Sequence, residues 1–357
     1  LIRLEPRAET SALVQRLAPV AAVAVAALLG MVMFAALGRD PIHAIGLIFL
    51  SPLTDSYLFT ELLVKATPLA LIAIGLAFGF RAGVWNIGAE GQFTVGALAS
   101  GAVALAFYDV PGLWLLPLMA LAGIAAGMGW AGIAAFLKTR FNANEILVTL
   151  MLTYVAGFLL SAMVHGPLRD PDGFNFPESR LFHDSAILPI LIEGSRVHAG
   201  LIVTLLIALA AWGLFRRHLL GYQADVMGQA PRAAAFGGFA QARVIWLSLL
   251  ISGGLAGLAG MFEAAGPVGQ LAPALPVGYG FTAIIVAFLG RLHPIGIVLA
   301  AFVMAVTYIG GETAQLELNL PSAITRVFQG MLLFALLGFD VFARYRLRII
   351  RRRTVEG

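Results

Sequence analysis

Long apolar runs recur along this chain, separated by short segments that gather its glycine, proline and charge. They lie near 17–38, 60–80, 84–108, 112–137, 145–164, 198–215, 244–262, 279–290, 294–310 and 322–340. A helix needs roughly 20 apolar residues to cross about 30 Å of hydrocarbon, and most of the runs reach that length. The two near 279–310 are short and are interrupted by Arg291 and His293-Pro294. The pattern predicts an all-α fold: a polytopic transmembrane helical bundle of about ten spans with short interrupted helices. The first run follows Arg16 but is too long for a signal core, and Gly38-Arg39-Asp40-Pro41 is a poor cleavage site, so it reads as a retained first helix.

Composition agrees. The chain is 60% hydrophobic and 12% charged, with a mean hydropathy of +0.91, far from the values of a soluble domain. No separate soluble domain fits, so residues 1–357 are read as one transmembrane domain. With both termini placed in the cytoplasm, all but six of the 23 Lys and Arg fall on the inner side, as the positive-inside rule requires. The six are Arg39, Lys65, Arg169, Arg180, Arg196 and Arg326. Residues 1–16 then form a cytoplasmic N-terminal segment and 341–357 a basic cytoplasmic tail. The tail reads as an anchor to anionic membrane lipid, not as a nucleic-acid patch. Residues 165–197 become an external loop carrying Asp170, Asp172, Glu178, Asp184 and Glu193, and 216–243 a cytoplasmic loop.

Several chemistries are missing. The chain has no cysteine, which excludes disulfides, thiolate nucleophiles and zinc–cysteine sites. Its two lysines, Lys65 and Lys138, follow no glycine-rich phosphate loop, so no ATPase site of that type is expected, and no cofactor is expected in this chain. The six histidines show no metal-ligand spacing, and no serine sits in a nucleophile elbow. An intramembrane enzyme is therefore disfavoured.

The informative segment runs from Arg81 to Ala97: RAGVWNIGAEGQFTVGA. Polar and ionisable groups at membrane depth are costly unless they face protein or a watery path. Asn86 and Glu90 are spaced to share a face of a helix beginning here. One reading makes Asn86, Glu90 and Gln92 a polar lining for a translocation path, with Trp85, Phe93 and Phe281 as ring-stacking surfaces. The competing reading is a buried structural network in which Glu90 holds a neighbouring helix. Gly88 and Gly91 would let other backbones approach closely in either case. A second glycine-interrupted segment, 289–296, gives a weak internal echo, and paired broken helices point to transport sites.

Two further segments carry signals. Asn144 followed by Glu145 looks like a capped helix start. In the cytoplasmic loop, Pro231, Ala233, Ala234, Phe236 and Gly238 frame a helix of about one to two turns, with proline at its first turn and glycine after its end. Met227 and Phe236 are expected to be exposed there and to seek an apolar groove on a partner. An ordinary solvated loop is the alternative.

Four runs together resemble the inner-membrane permeases of bacterial ABC importers for nucleosides and simple sugars, the branched-chain amino acid/ribose-type permease family. They are Asn86-Ile87-Gly88-Ala89-Glu90-Gly91-Gln92, the segment opening Asn144-Glu145-Ile146-Leu147-Val148-Thr149, the pattern Gly228-x-x-Pro231-x-Ala233-Ala234-x-x-x-Gly238, and Gly280-Phe281 through His293-Pro294. The first is most similar to the longer permease subunit of nucleoside systems. The resemblance implies a transport subunit in the bacterial cell membrane, without its own ATPase site. It implies a second permease chain, an ATP-binding cassette ATPase that holds ATP and magnesium, and an external substrate-binding protein. It also implies that Met227, Gly228, Pro231, Ala233, Ala234, Phe236 and Gly238 couple to the ATPase. Asp225 and Ala230 depart from the family, where arginine and asparagine are common. A purine-type nucleoside is the expected cargo, with a simple sugar or flavin-like compound as alternatives. An ion-coupled secondary transporter is the alternative of another class.

Overall fold

The computed structural model describes residues 2–6 and 12–349. Residues 350–357 of the basic tail, and residues 1 and 7–11 of the N-terminal segment, lie outside the described residues. The helices in chain order are α1 (Ala12–Ala36), α2 (Pro41–Phe49), α3 (Ser51–Thr54), α4 (Ser56–Arg81), α5 (Ala89–Ala106), α6 (Leu115–Phe141) and α7 (Glu145–His165). They continue with α8 (Gly200–Arg217), α9 (Leu219–Gln229), α10 (Pro231–Phe236), α11 (Gln241–Glu263), α12 (Tyr279–Leu289), α13 (Pro294–Glu317) and α14 (Ser322–Arg344). The fold is helical apart from one antiparallel ribbon, in which β1 (Ile2–Pro6) pairs with β2 (Tyr345–Ile349).

Among the described residues, six helical stretches are long and apolar enough to cross a membrane: Ser56–Arg81, Leu115–Phe141, Glu145–His165, Gly200–Arg217, Gln241–Val268 and Pro294–Glu317. The chain is a multi-pass membrane protein. Several boundaries differ from the sequence reading. α13 was expected to be short and to end near 310, but it has 24 residues, runs to Glu317 and is long enough to cross a membrane, so of the two helices expected to be short only α12 is. α1 starts at Ala12, ahead of the expected 17. Residues 84–88 were expected inside a span but are non-helical, and α5 starts only at Ala89. The segment 41–54, unassigned from sequence, folds as α2 and α3 behind the side chain of Asp40, which accepts from the Ile42 and His43 N–H groups.

The chain divides into two compact units, one of residues up to Leu58 with those from Val306 onward, the other Phe59–Ala305. In the first, Phe34, Ala44, Leu47, Ile48, Ala314 and Phe328 form an apolar core. The second carries every segment of the resemblance. Its centre is α4 and α11, whose apolar windows are 89% and 72% buried, while those of α7 and α8 are 17% buried. Outer helices that bury so little of an apolar surface face lipid or another chain.

What holds the second unit together is backbone proximity. In a bilayer, lipid is as apolar as the side chains, so helix association relies on close packing and small residues. Gly253 and Gly257 of α11 and Gly123 and Gly127 of α6 are each spaced four apart and face one another. A Cβ on Gly257 would collide with the Gly123 carbonyl, and one on Gly253 with the Gly127 carbonyl. On α5, a Cβ on Gly96 would strike Gly257. Three helices therefore meet where any side chain would force backbones apart. The α6–α7 turn is fixed by Asn142 in the left-handed region (φ 52°), and by Asn144, which accepts from the N–H groups of Ile146 (3.0 Å) and Leu147 (3.4 Å). Lys138 and Glu145 pair across it at 2.8 Å.

Gly257→Leu should lower stability by about 3 kcal/mol, because overpacking is severe where the obstructing atoms are backbone. Gly129→Leu, with nothing within 4 Å of the added carbon, should leave it unchanged. Thermal unfolding of the purified chain in detergent checks both; equal midpoints for the two variants would refute the packing argument.

Candidate functional site

The last turn of α4 delivers the chain to the motif. Gly83 takes a left-handed conformation (φ 73°), and the Val84 N–H returns to the Gly79 carbonyl at 2.8 Å. The chain then runs non-helically through residues 84–88, with Val84, Asn86 and Gly88 buried in the protein and Trp85 exposed. Asn86 supplies the hydrogen bonds that a helix would otherwise provide. Its Oδ1 accepts from the Gly88 N–H at 3.0 Å and from Gln92 Nε2 at 3.1 Å. Its Nδ2 donates to Gln92 Oε1 at 2.8 Å and to Ser252 Oγ of α11 at 2.8 Å. The Ile87 N–H reaches Thr149 Oγ1 of α7 at 3.1 Å. Asn86 thus precedes the helix and pairs with Gln92; it does not share a helical face with Glu90, as the spacing suggested.

Glu90 turns to α12. Its Oε1 accepts from the Gly278 N–H at 2.7 Å, and its Oε2 from the Gly280 N–H at 2.5 Å. α12 has 11 residues, about 16 Å of helix, about half the thickness of a bilayer's hydrocarbon core. The first N–H groups of any helix lack intrahelical partners and carry partial positive charge. A carboxylate is the group suited to them. Gly278 at φ 93° turns the chain into the helix, and a Cβ on Gly280 would collide with the Glu90 backbone.

The expected path residues therefore separate into two sets. Asn86, Glu90, Gln92 and Phe93 are buried, and the polar three have partners inside the protein. Phe93 packs edge-on against Tyr279 at 5.9 Å. Trp85 and Phe281 stay 39% and 41% exposed. Trp85 stacks on Phe288 at 5.8 Å, and Phe288 on Phe80 at 5.1 Å. Phe281 and Phe288 are about two turns apart on α12, so these rings extend one aromatic face.

A second polar group went unnoticed in the sequence. Glu61 of α4 forms a two-point ion pair with Arg196 of the external loop, Arg196 Nε donating to Oε1 at 2.9 Å and Nη2 to Oε2. One turn further along α4, Lys65 Nζ lies 5.5 Å from the centroid of the Tyr279 ring, and the Tyr279 hydroxyl donates to Glu263 at 3.4 Å. The signal was available: each charge sits within or at the edge of an apolar run.

On the cytoplasmic loop, α10 begins at Pro231 and ends before Gly237 and Gly238, the latter at φ 77°. Phe236 is 95% exposed, and Pro231, Ala233 and Gly238 are also exposed. Ala234 is buried. Met227 corrects the sequence reading: it is buried in a cluster with Phe78, Ala82, Val84 and Val244, because α9, unassigned from sequence, turns this residue inward.

The family comparison decides what this arrangement is. Residues 58–337 match the family described as branched-chain amino acid transport system / permease component. The chain belongs to that family. Among its relatives, the glucose ABC transporter permease protein TsgB13 of Haloferax volcanii is 37% identical over 98% of this chain and 94% of its own. The guanosine ABC transporter permease protein NupP of Bacillus subtilis is 33% identical over 83% of this chain and 84% of its own. A second permease of that organism, the guanosine ABC transporter permease protein NupQ, is 29% identical over 67% of this chain and 76% of its own. No solved structure matches the chain. As a permease of this family the chain is a transport component, and the matched region takes in the whole Phe59–Ala305 unit.

Glu90→Gln leaves one acceptor and sets an amide N–H₂ against a backbone donor. Charge-assisted hydrogen bonds contribute about 1.5–3 kcal/mol each, so this variant should lose stability and yield. Measured thermal midpoint and detergent-extracted yield check it; a variant with parental midpoint and yield but altered cargo preference would restore Glu90 to the path.

Proposed function

We propose that this chain is one of two permease subunits of an ABC importer in the bacterial cell membrane, carrying a nucleoside of purine type. The observation that carries the class is family membership across residues 58–337. The cargo reading is supported by the guanosine permease relative and by the exposed rings of Trp85 and Phe281, which offer flat surfaces to a base by offset or edge-on contact. In this reading cargo passes over the Trp85–Phe281–Phe288 face, and Asn86, Glu90, Gln92 and Phe93 hold that face in place from behind. A sugar is the second reading, favoured by the glucose permease relative at 37% identity.

The remaining assignments follow from the same reading. About ten crossings with both termini cytoplasmic agree with the pairing of β1 and β2, which sets the two ends side by side. The occurrence of two distinct permeases in one organism supports a heterodimer. An ATP-binding cassette subunit holding ATP and magnesium would dock on α10, with Phe236 as its apolar anchor. An external substrate-binding protein would deliver cargo to the 165–197 side.

The test is uptake by proteoliposomes holding both permeases, the ATPase and the binding protein. Labelled guanosine should enter only with ATP inside the ATPase compartment, at least tenfold faster than without the ATPase. Unlabelled guanosine should compete and glucose should not. Uptake driven by an ion gradient without the ATPase would replace this reading by ion-coupled transport, and competition by glucose alone would establish the sugar reading. Phe236→Asp should abolish ATPase capture while the chain still inserts, since a charge buried unpaired in an apolar groove costs several kcal/mol. Undiminished capture would remove Phe236 from the interface.

A further inference from the structure

The cytoplasmic coupling segment and the buried motif meet at one ion pair. Arg81 is the last residue of α4, and Asp225 lies on α9. Arg81 Nε donates to Asp225 Oδ1 at 2.7 Å, and Nη2 donates to Oδ2. The pair is partly shielded, with side chains 21% and 32% exposed. Two parallel bonds between guanidinium and carboxylate fix orientation as well as distance. The guanidinium also lies over Phe215, 4.5 Å from the ring centroid, and Phe215 stacks on Phe78 at 6.1 Å. Arg81 is thus held on two sides.

The rest of α9 reinforces the contact. Gly228 presses on the Arg81 carbonyl and the Gly83 N–H so closely that a Cβ would collide with the carbonyl. Met227 and Ala224 are buried in one cluster with Phe78, Ala82 and Val84. Consecutive turns of α9 therefore grip the stretch that leads into residues 84–88. Asn86 and Glu90 follow directly, and Glu90 holds the first N–H groups of α12.

We propose that Arg81 and Asp225 form a positioning pair that transmits displacement of the coupling segment to the half-helix α12. The route is continuous: Asp225 to Arg81, through the non-helical 82–88 stretch, to Glu90, and from its carboxylate to Gly278 and Gly280. The route joins two direct side-chain contacts through one short stretch of hydrogen-bonded backbone, a contiguous network able to carry coupling if α12 has two positions that both ends bias. The proposal rests on the permease reading above.

The experiment uses the complete transporter in proteoliposomes, with ATP hydrolysis and cargo uptake measured on the same preparation. Asp225→Asn and Arg81→Gln should keep the ATPase bound and hydrolysis within about twofold of the parent, while cargo moved per ATP falls about tenfold. The exchanged pair, Arg81→Asp with Asp225→Arg, should recover cargo per ATP to within about threefold. A purely structural role would lower yield and both activities together and leave their ratio unchanged. An unchanged ratio in Asp225→Asn overturns the proposal, as does loss of ATPase binding in step with uptake, which would make the pair a docking contact. If the single variants assemble poorly, the exchanged pair decides: failure to restore the ratio overturns the proposal. A parental complex that binds its ATPase yet shows no ATP-dependent uptake would overturn the permease reading itself, and this proposal with it.

Discussion

A helix that begins inside a protein needs a partner for its first backbone N–H groups, and at the start of α12 the Glu90 carboxylate is that partner. Both of its oxygens are engaged, one by Gly278 and one by Gly280. Gly280 is buried, and an unpaired buried backbone donor costs several kcal/mol. Much of the surrounding architecture can be traced to this contact. Gly280 must lack a side chain to let Glu90 approach. Glu90 must sit in the first turn of α5, so the chain must re-enter the protein without helix over residues 84–88. That irregular stretch in turn needs Asn86, Gln92, Ser252 and Thr149 to satisfy it. The polar residues of the motif are a chain of mutual obligations, each satisfying the one before.

The glycines answer the same constraint from the other direction. A carboxylate can reach a neighbouring helix start only if α5 is seated deeply against α6 and α11. Gly96, Gly123, Gly127, Gly253 and Gly257 permit that depth. In a membrane this packing replaces the hydrophobic effect as the cohesive force. The outer helices α7 and α8 bury little of their apolar surface within the chain, in keeping with a subunit that meets lipid and other subunits.

Much of this was legible in the sequence. Apolar runs located most of the long helices to within about five residues, because the cost of exposing backbone to lipid leaves helix as the available structure; the exception is α13, whose last turns, through Glu312 and Glu317, carry charge and were left out of the run. Asn144 announced α7 through its cap, and Pro231 with Gly237-Gly238 bracketed α10. Three features were not legible. The start of α5 was placed too early, since hydropathy does not distinguish an irregular apolar stretch from a helix. Met227 was expected at the surface, because the burial of α9 depends on Arg81, Asp225 and Gly228, residues far apart in the chain. The partner of Glu90 is a pair of backbone amides 188 and 190 residues away, and backbone donors leave no mark in a sequence. The motif's polar side chains suggested a lining; geometry turns them inward and leaves the aromatic rings exposed.

In the proposed reading cargo meets the exposed rings of Trp85 and Phe281, while Gln92 is buried. The chain contains no cysteine, so single cysteines at these positions can be probed cleanly with a membrane-impermeant thiol reagent in the assembled transporter. The account predicts that Trp85→Cys and Phe281→Cys react, that cargo slows both reactions, and that Gln92→Cys in the folded protein stays unreactive. Rapid, cargo-protected labelling of Gln92→Cys with an unreactive Phe281→Cys would contradict it, placing the polar motif in the path and the aromatic face against lipid.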